Sequence, residues 1–373
     1  MRRTATVLIV NLALVLASVA IGACNAQSAD VVSVRSVAHW EQEFADQAPR
    51  YFAENVDLST SSDSWDYYDL AYGIDAFTSM YEATGKRRYA VRALTLVQNM
   101  VNRSRPVSDL HSQFHDGYRG WVSERSDVHG EEVPLFESYA WRYVTRLLRT
   151  VRQSPALFAD DALRAQYRRL LSFSETNIFA KWYSRGAAEN IYRSRTHMAA
   201  HWAYIAVDLA VLTRDKQRRQ RYLTVFRNIN RNLPNYDSSL RQQMRDSPVT
   251  SGAYFWDDSW ESHDRPGQDV AHANGVISYL VEAREVGREW TADDMTRLVR
   301  TLDRVVWPEE GRGHEYVDGS GTGTGWFADG FVKLGRFSPA LQQRLEGHRS
   351  GRSPQFIASL AANARVLRAG STY

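Results

Sequence analysis

The chain has 373 residues, 43% of them hydrophobic, enough for a large core and for one large or two small domains. Charged residues make up 24% and nearly cancel at a formal +3, which argues against a general nucleic-acid binder. The single cysteine excludes an intrachain disulfide and any cysteine-built metal site.

The first residues, MRRTATVLIVNLALVLASVAIGAC, combine a basic start, an apolar stretch and small residues before a cleavage point. They predict a lipoprotein signal peptide over 1–23, with Cys24 lipidated and 24–36 a lipidated N-terminus and linker. An ordinary secretory signal is the alternative. Asn25 rather than Asp after Cys24 fits the outer membrane of a Gram-negative cell envelope. The membrane is then a partner through the lipid anchor alone.

Residues 37–373 read as one domain. Tyr72–Val101, Tyr139–Phe179, Trp202–Leu233 and Ala273–Val306 each show an apolar helix, a turn, then a more amphipathic helix. An inner helix packed on both sides and an outer one facing water explain that order. The predicted fold is all-α, an (α/α) toroid of about five to seven hairpins. Between the pairs lie long segments rich in aromatic, glycine and polar residues: Ser59–Asp69, His111–Pro134, Asp246–Asp269 and Gly311–Phe327. Loops of this length are usually functional or disordered, and 11 Trp with 19 Tyr argue against disorder. They are expected to line one cleft.

Trp65, Tyr67 and Tyr68 offer a stacking platform for sugar rings. Glu137 heads an inner helix, either in the cleft or serving the helix dipole. If the segment around RSRTHMAAHWAYIAVDLAVL is helical throughout, Asn190, Ser194, His197, His201, Tyr204 and Asp208 form one polar stripe. Such a stripe on an apolar helix is satisfied in the core or faces a cavity. The His-x-x-x-His spacing suits zinc, but no Glu follows the first histidine and no third ligand is evident, so no metal or other cofactor is expected. Farther on, Arg245, Tyr254, Trp256, His263 and Arg265 follow in one loop, and His272 with Asn274 begins another inner helix. GRGHEYVDG adds Arg312, His314 and Tyr316.

A helical His followed some fifty residues later by Arg and Tyr resembles the α/α-toroid polysaccharide lyases of the alginate and glucuronan type, polysaccharide lyase family 38 among them. HDGYRGWVSE, VPLFESYAWRYV and DVAHANGVISYLVEA are similar to segments of those enzymes. The resemblance covers most of the domain in layout, through short motifs. It implies β-elimination on an acidic, uronate-containing polysaccharide. Tyr254 would be base and acid, with Tyr316 as runner-up, assisted by His197, His201 and Arg245. Thr196 stands where that pattern has Asn, which leaves Asn190 or His201 to neutralise the uronate carboxylate. Two other classes stay open. A glycoside hydrolase would draw a carboxylate pair from Asp66, Asp69, Glu137, Asp257, Asp258 and Glu261. A non-catalytic glycan-binding lipoprotein would need only the aromatic platform.

Overall fold

The computed structural model describes residues 33–263, 265–349 and 352–370. The signal peptide expected over 1–23, Cys24 and most of the linker lie outside the described residues.

Helices of nine residues or more are numbered in chain order: α1 Val37–Ser59, α2 Asp66–Thr84, α3 Arg87–Arg103, α4 Pro134–Gln153, α5 Asp161–Phe173, α6 Thr196–Leu212, α7 Lys216–Arg231, α8 Val270–Glu285, α9 Ala292–Arg300, α10 Pro339–Gly347 and α11 Pro354–Arg368. α2 packs on α4, α4 on α6, α6 on α8, and α8 on a 3-10 segment, Phe331–Phe337. That segment packs on α11, and α11 returns to α2, so the inner layer closes into a ring. α3, α5, α7, α9, α10 and α1 back the inner members in turn, which makes six hairpins and the toroid expected from the sequence.

Burial explains the layering. α6 buries 15 of its 17 residues, whereas α7 buries 5 of 16. Outer α7 is held at its start by Asp215, whose carboxylate caps the Gln217 and Arg218 amides. α2 stops at Gly85, which takes a left-handed φ of 69°. α4, α6 and α8 are all first members of their hairpins. They run the same way, and the long connections gather at their N-terminal ends.

The bore of the ring is filled by paired charges. Asp75 accepts from Lys333 and Arg146, Arg142 pairs with Asp329 at 2.8 Å, and Arg149 pairs with Asp208 and Glu282. Each buried ion keeps a partner, the condition for tolerating charge in a low-dielectric interior.

Candidate active site at the mouth of the ring

The N-terminal turns of α6 and α8 meet at three histidines. α6 is pinned where it starts: the Thr196 hydroxyl donates to the Asp257 carbonyl at 2.8 Å, and its amide donates to the Asp258 carbonyl. α8 is capped by Asp269. One carboxylate oxygen accepts the His272 amide at 3.0 Å, and the other accepts the His272 ring Nδ1–H at 2.8 Å. The same carboxylate therefore starts the helix and orients a histidine. The His272 ring stacks on His197 at 4.4 Å, His201 lies 6.0 Å from His197, and Tyr139 meets His201 edge-on at 5.1 Å.

His197 and His201 are buried, and three of their four ring nitrogens have no hydrogen-bond partner among the described residues. Burial, then the field of His272, holds the His197 pKa down at about 3. Burial, then Arg142, pushes His201 well below the ordinary range. Both are neutral imidazoles near neutral pH. His272 goes the other way, raised first by its hydrogen bond to Asp269. For Asp269, burial pushes the carboxyl up, but hydrogen bonds from the His272 ring and amide outweigh it and hold it at about 2.

Beside these histidines opens a cavity of about 570 Å³, lined by Asp258, Asp269, His314, Tyr316, Thr324 and Trp326 among others. The 313–326 loop forms its wall. Tyr316 bridges to Asp269, and Gly313 bridges to Gly323, where a side-chain carbon would lie 2.2 Å from the His314 carbonyl oxygen. An aromatic wall continues from Trp326 to Tyr72 (5.9 Å), and the Tyr72 and Tyr139 hydroxyls share a hydrogen bond of 2.9 Å. Tyr68 lies flat on Tyr139 at 3.6 Å, and Trp65 stacks on Tyr68 beneath the Arg125 guanidinium.

The structure thus gathers His197, His201, His272, His314, Tyr316, Tyr68 and Trp65 at one end of the ring. Other expected residues are placed elsewhere. Tyr254 is buried in a two-residue strand, Tyr254–Phe255, and its hydroxyl donates to Asp294 of α9 at 2.6 Å. Burial, then Asp294, pushes its pKa up to about 12, and its hydroxyl is committed to the outer layer. Arg245 is committed to Asp257 at 2.5 Å. Asn190 and Ser194 leave the polar stripe because α6 begins only at Thr196. The Asn190 amide donates to the Gly186 carbonyl in a separate short helix, Ala187–Asn190. Tyr204 and Asp208 keep the stripe but face the charged bore, on Glu282 and Arg149.

Four more expected site residues are fully buried. Glu137 is fully buried against Lys181 and Trp182, each at 2.7 Å. Tyr67 donates to the Ser61 carbonyl and packs on Trp121. Trp256 is wholly buried. Asn274 is a clamp: its amide donates to the Val270 and Trp326 carbonyls, and its carbonyl accepts the Gly330 and Phe331 amides. His263 and Arg265 are exposed, with Arg265 lying over the Phe255 ring at 4.0 Å. Arg312 is exposed and pairs with Glu309. Sequence reasoning passed over Tyr72, Tyr139, Asp269 and Trp326. Asp269 had a usable signal, an N-cap residue three positions before a histidine.

No protein-family model matches the chain, and no curated protein matches it. Among solved structures it is similar to an inactive variant of an α-1,6-mannanase of Salegentibacter sp. in complex with α-1,6-mannotriose. That match has 11% identity and a TM-score of 0.44, and covers 87% of this chain and 99% of that one. It is also similar to a polysaccharide lyase, at 14% identity and a TM-score of 0.44, covering 86% and 99%. Likeness at this level assigns neither reaction nor substrate to this chain.

Proposed function

We propose that this protein cleaves an acidic, uronate-containing polysaccharide by β-elimination at the histidine cluster. The observation that carries the reading is the pairing of an oriented His272–Asp269 dyad with two neutral histidines, three of whose four ring nitrogens are unpartnered among the described residues. β-Elimination needs both kinds of group. Neutral imidazole N–H groups in the first turns of α6, where the helix dipole is positive, suit the uronate carboxylate and the charge that builds on it. The free Nε2 of His272, with Nδ1–H fixed by Asp269, takes the C5 proton. The C4–O4 bond breaks, a C4=C5 double bond forms, and O4 takes a proton from the Tyr316 phenol. Tyr316 is raised above the usual phenol range, first by the Glu315 charge, which suits an acid and not a phenolate base. The roles differ from the initial expectation: histidine is the base and tyrosine the acid. Anchoring through Cys24 in the cell envelope belongs to the same proposal.

A second reading has one observation behind it. Burial raises the Asp257 carboxyl despite Arg245, and its sequence neighbour Asp258 lines the cavity in a pair with Arg195. A proton-holding acid beside a second carboxylate is what glycoside hydrolysis uses. Incubation with alginate, glucuronan, pectate, hyaluronan and chondroitin separates the two. Elimination gives ultraviolet absorbance from the new double bond, abolished in His272→Ala. New reducing ends without absorbance would move the chemistry to Asp257 and Asp258. Neither signal would leave a glycan-binding protein.

A further inference from the structure

A groove on the flank of the ring, between the second and third hairpins, takes no part in that reaction. Its lower section is a cavity of about 430 Å³ lined by Arg152, Phe158, Tyr167, Arg168, Arg214 and Arg218, among others. A second cavity of about 180 Å³, lined by Phe179, Arg221, Tyr222 and Tyr118, continues it, and Glu175 and Arg218 border both. The lower section reaches the 212–215 turn after α6, the end of the ring opposite the cleft. Tyr118 belongs to the long connection at the cleft end. The groove therefore runs along the barrel flank towards the cleft.

Its charge is out of proportion to the rest of the protein. Five arginines face two carboxylates, Glu175 and Asp215, so this one groove has a formal excess equal to the +3 of the whole chain. Arg218 pairs with Glu175 at 2.8 Å. Among the described residues, Arg152, Arg168, Arg214 and Arg221 make no ion pair. Arg152 lies over Phe158 at 4.5 Å and Arg221 over Tyr183 at 5.1 Å. All five arginines are exposed. Between the two cavities the backbone departs from α geometry. α5 runs into a π-helical segment, Ser174–Ala180, which carries both Glu175 and Phe179. π turns are rare and are frequent at functional sites.

We propose that this groove is a second binding site, for an anionic polysaccharide chain. Planar guanidinium groups match carboxylates along such a chain, and the half-buried Phe158 adds an apolar surface for a sugar ring. The choice of occupant rests on the proposed function. The groove would hold a stretch of polymer while another stretch enters the cleft, which raises the local substrate concentration.

The test is affinity electrophoresis of the full chain in gels containing polygalacturonate, with neutral mannan as control and anionic vesicles as competitor. Arg168→Glu with Arg214→Glu alters exposed side chains without ion partners, so the melting temperature should hold. The expected result is retardation by polygalacturonate, absent in mannan, weakened at least tenfold in the double variant and lost at high salt. In an active enzyme, kcat/KM on long polymer should fall while that on a short oligosaccharide stays. Unchanged retardation in the double variant, equal retardation in mannan, or loss of the polymer to vesicles would overturn the proposal. Retardation that depends on these arginines in a protein with no lyase activity would leave the groove standing and remove the reaction.

Discussion

Gly275 is the sharpest test of the histidine cluster. A Cβ there would lie 2.9 Å from His201 Nε2 and 3.6 Å from its Cδ2, closer than such carbons approach a ring atom. The ring has little freedom to yield, because it is 1% exposed and Tyr139 stands edge-on at 5.1 Å. Overpacking of this kind costs about 1–3 kcal/mol, while Gly→Ala inside a helix returns about 1 kcal/mol. Gly275→Ala should therefore destabilise by only about 0–2 kcal/mol. Activity should fall at least about tenfold, which corresponds to about 1.4 kcal/mol of transition-state stabilisation. Urea unfolding gives the first quantity and kcat/KM on the responding polymer the second. The double variant with His201→Ala isolates the cause. With the ring gone, the methyl group should be harmless and even stabilise by about 1 kcal/mol. A Gly275→Ala enzyme of full activity, or one equally damaged in the His201→Ala background, would refute the assignment of His201 to the working site.

Other outcomes follow from the same geometry. His197 and His201 have lowered pKa values, so the unfolded chain takes up their protons first. Their contribution to stability is complete above about pH 6.5 and is lost as pH falls below it, down to about 3 for His197. Two such groups give a slope that approaches about 2.7 kcal/mol per pH unit well below pH 6.5, readable by urea unfolding and flattened in His197→Gln/His201→Gln. His272, raised by Asp269, opposes this, but it is half exposed and screened. The base must be neutral, so activity should rise with pH through the His272 pKa. In Asp269→Asn that limb should move to lower pH and the maximal rate should drop. Tyr254→Phe should keep activity within about twofold and cost about 1–2 kcal/mol, because Asp294 loses a buried donor. Glu137→Ala should lower stability by about 1–3 kcal/mol, because the Trp182 indole N–H loses its buried acceptor while Lys181 keeps only Glu132, with the activity of the folded fraction unchanged.

The ring was legible because it rests on a coarse signal. An apolar helix followed by an amphipathic one recurs along the chain, and α6 against α7 shows that contrast directly in burial. The site was only partly legible. Three histidines were readable because imidazoles are rare and cost energy in apolar helices. Tyr254 misled because a tyrosine beside Arg, Trp and Asp looks the same in a cleft or in the outer layer. Only the path of the chain, which sends its hydroxyl to Asp294, separates the two. Asn190 misled through a helix assumed continuous, which the turn at Ile191–Arg195 interrupts. Glu137 and Asn274 head inner helices as expected, but their partners, Lys181 and the Gly330 amide, come from distant segments that no local pattern announces.

The ring has a seam. α1 lies against α11, and the Arg368 guanidinium donates to the Val34 carbonyl, two residues separated by 334 positions. The first and last helices thus share one wall of the barrel. During synthesis the circle cannot close until α11 emerges. The same adjacency makes the protein a natural subject for circular permutation. A short peptide could join the neighbouring ends at Val34 and Arg368, and new termini could be cut in the exposed turn at Arg214. Such a permuted chain would carry its cleft on a continuous wall and its break on the far side.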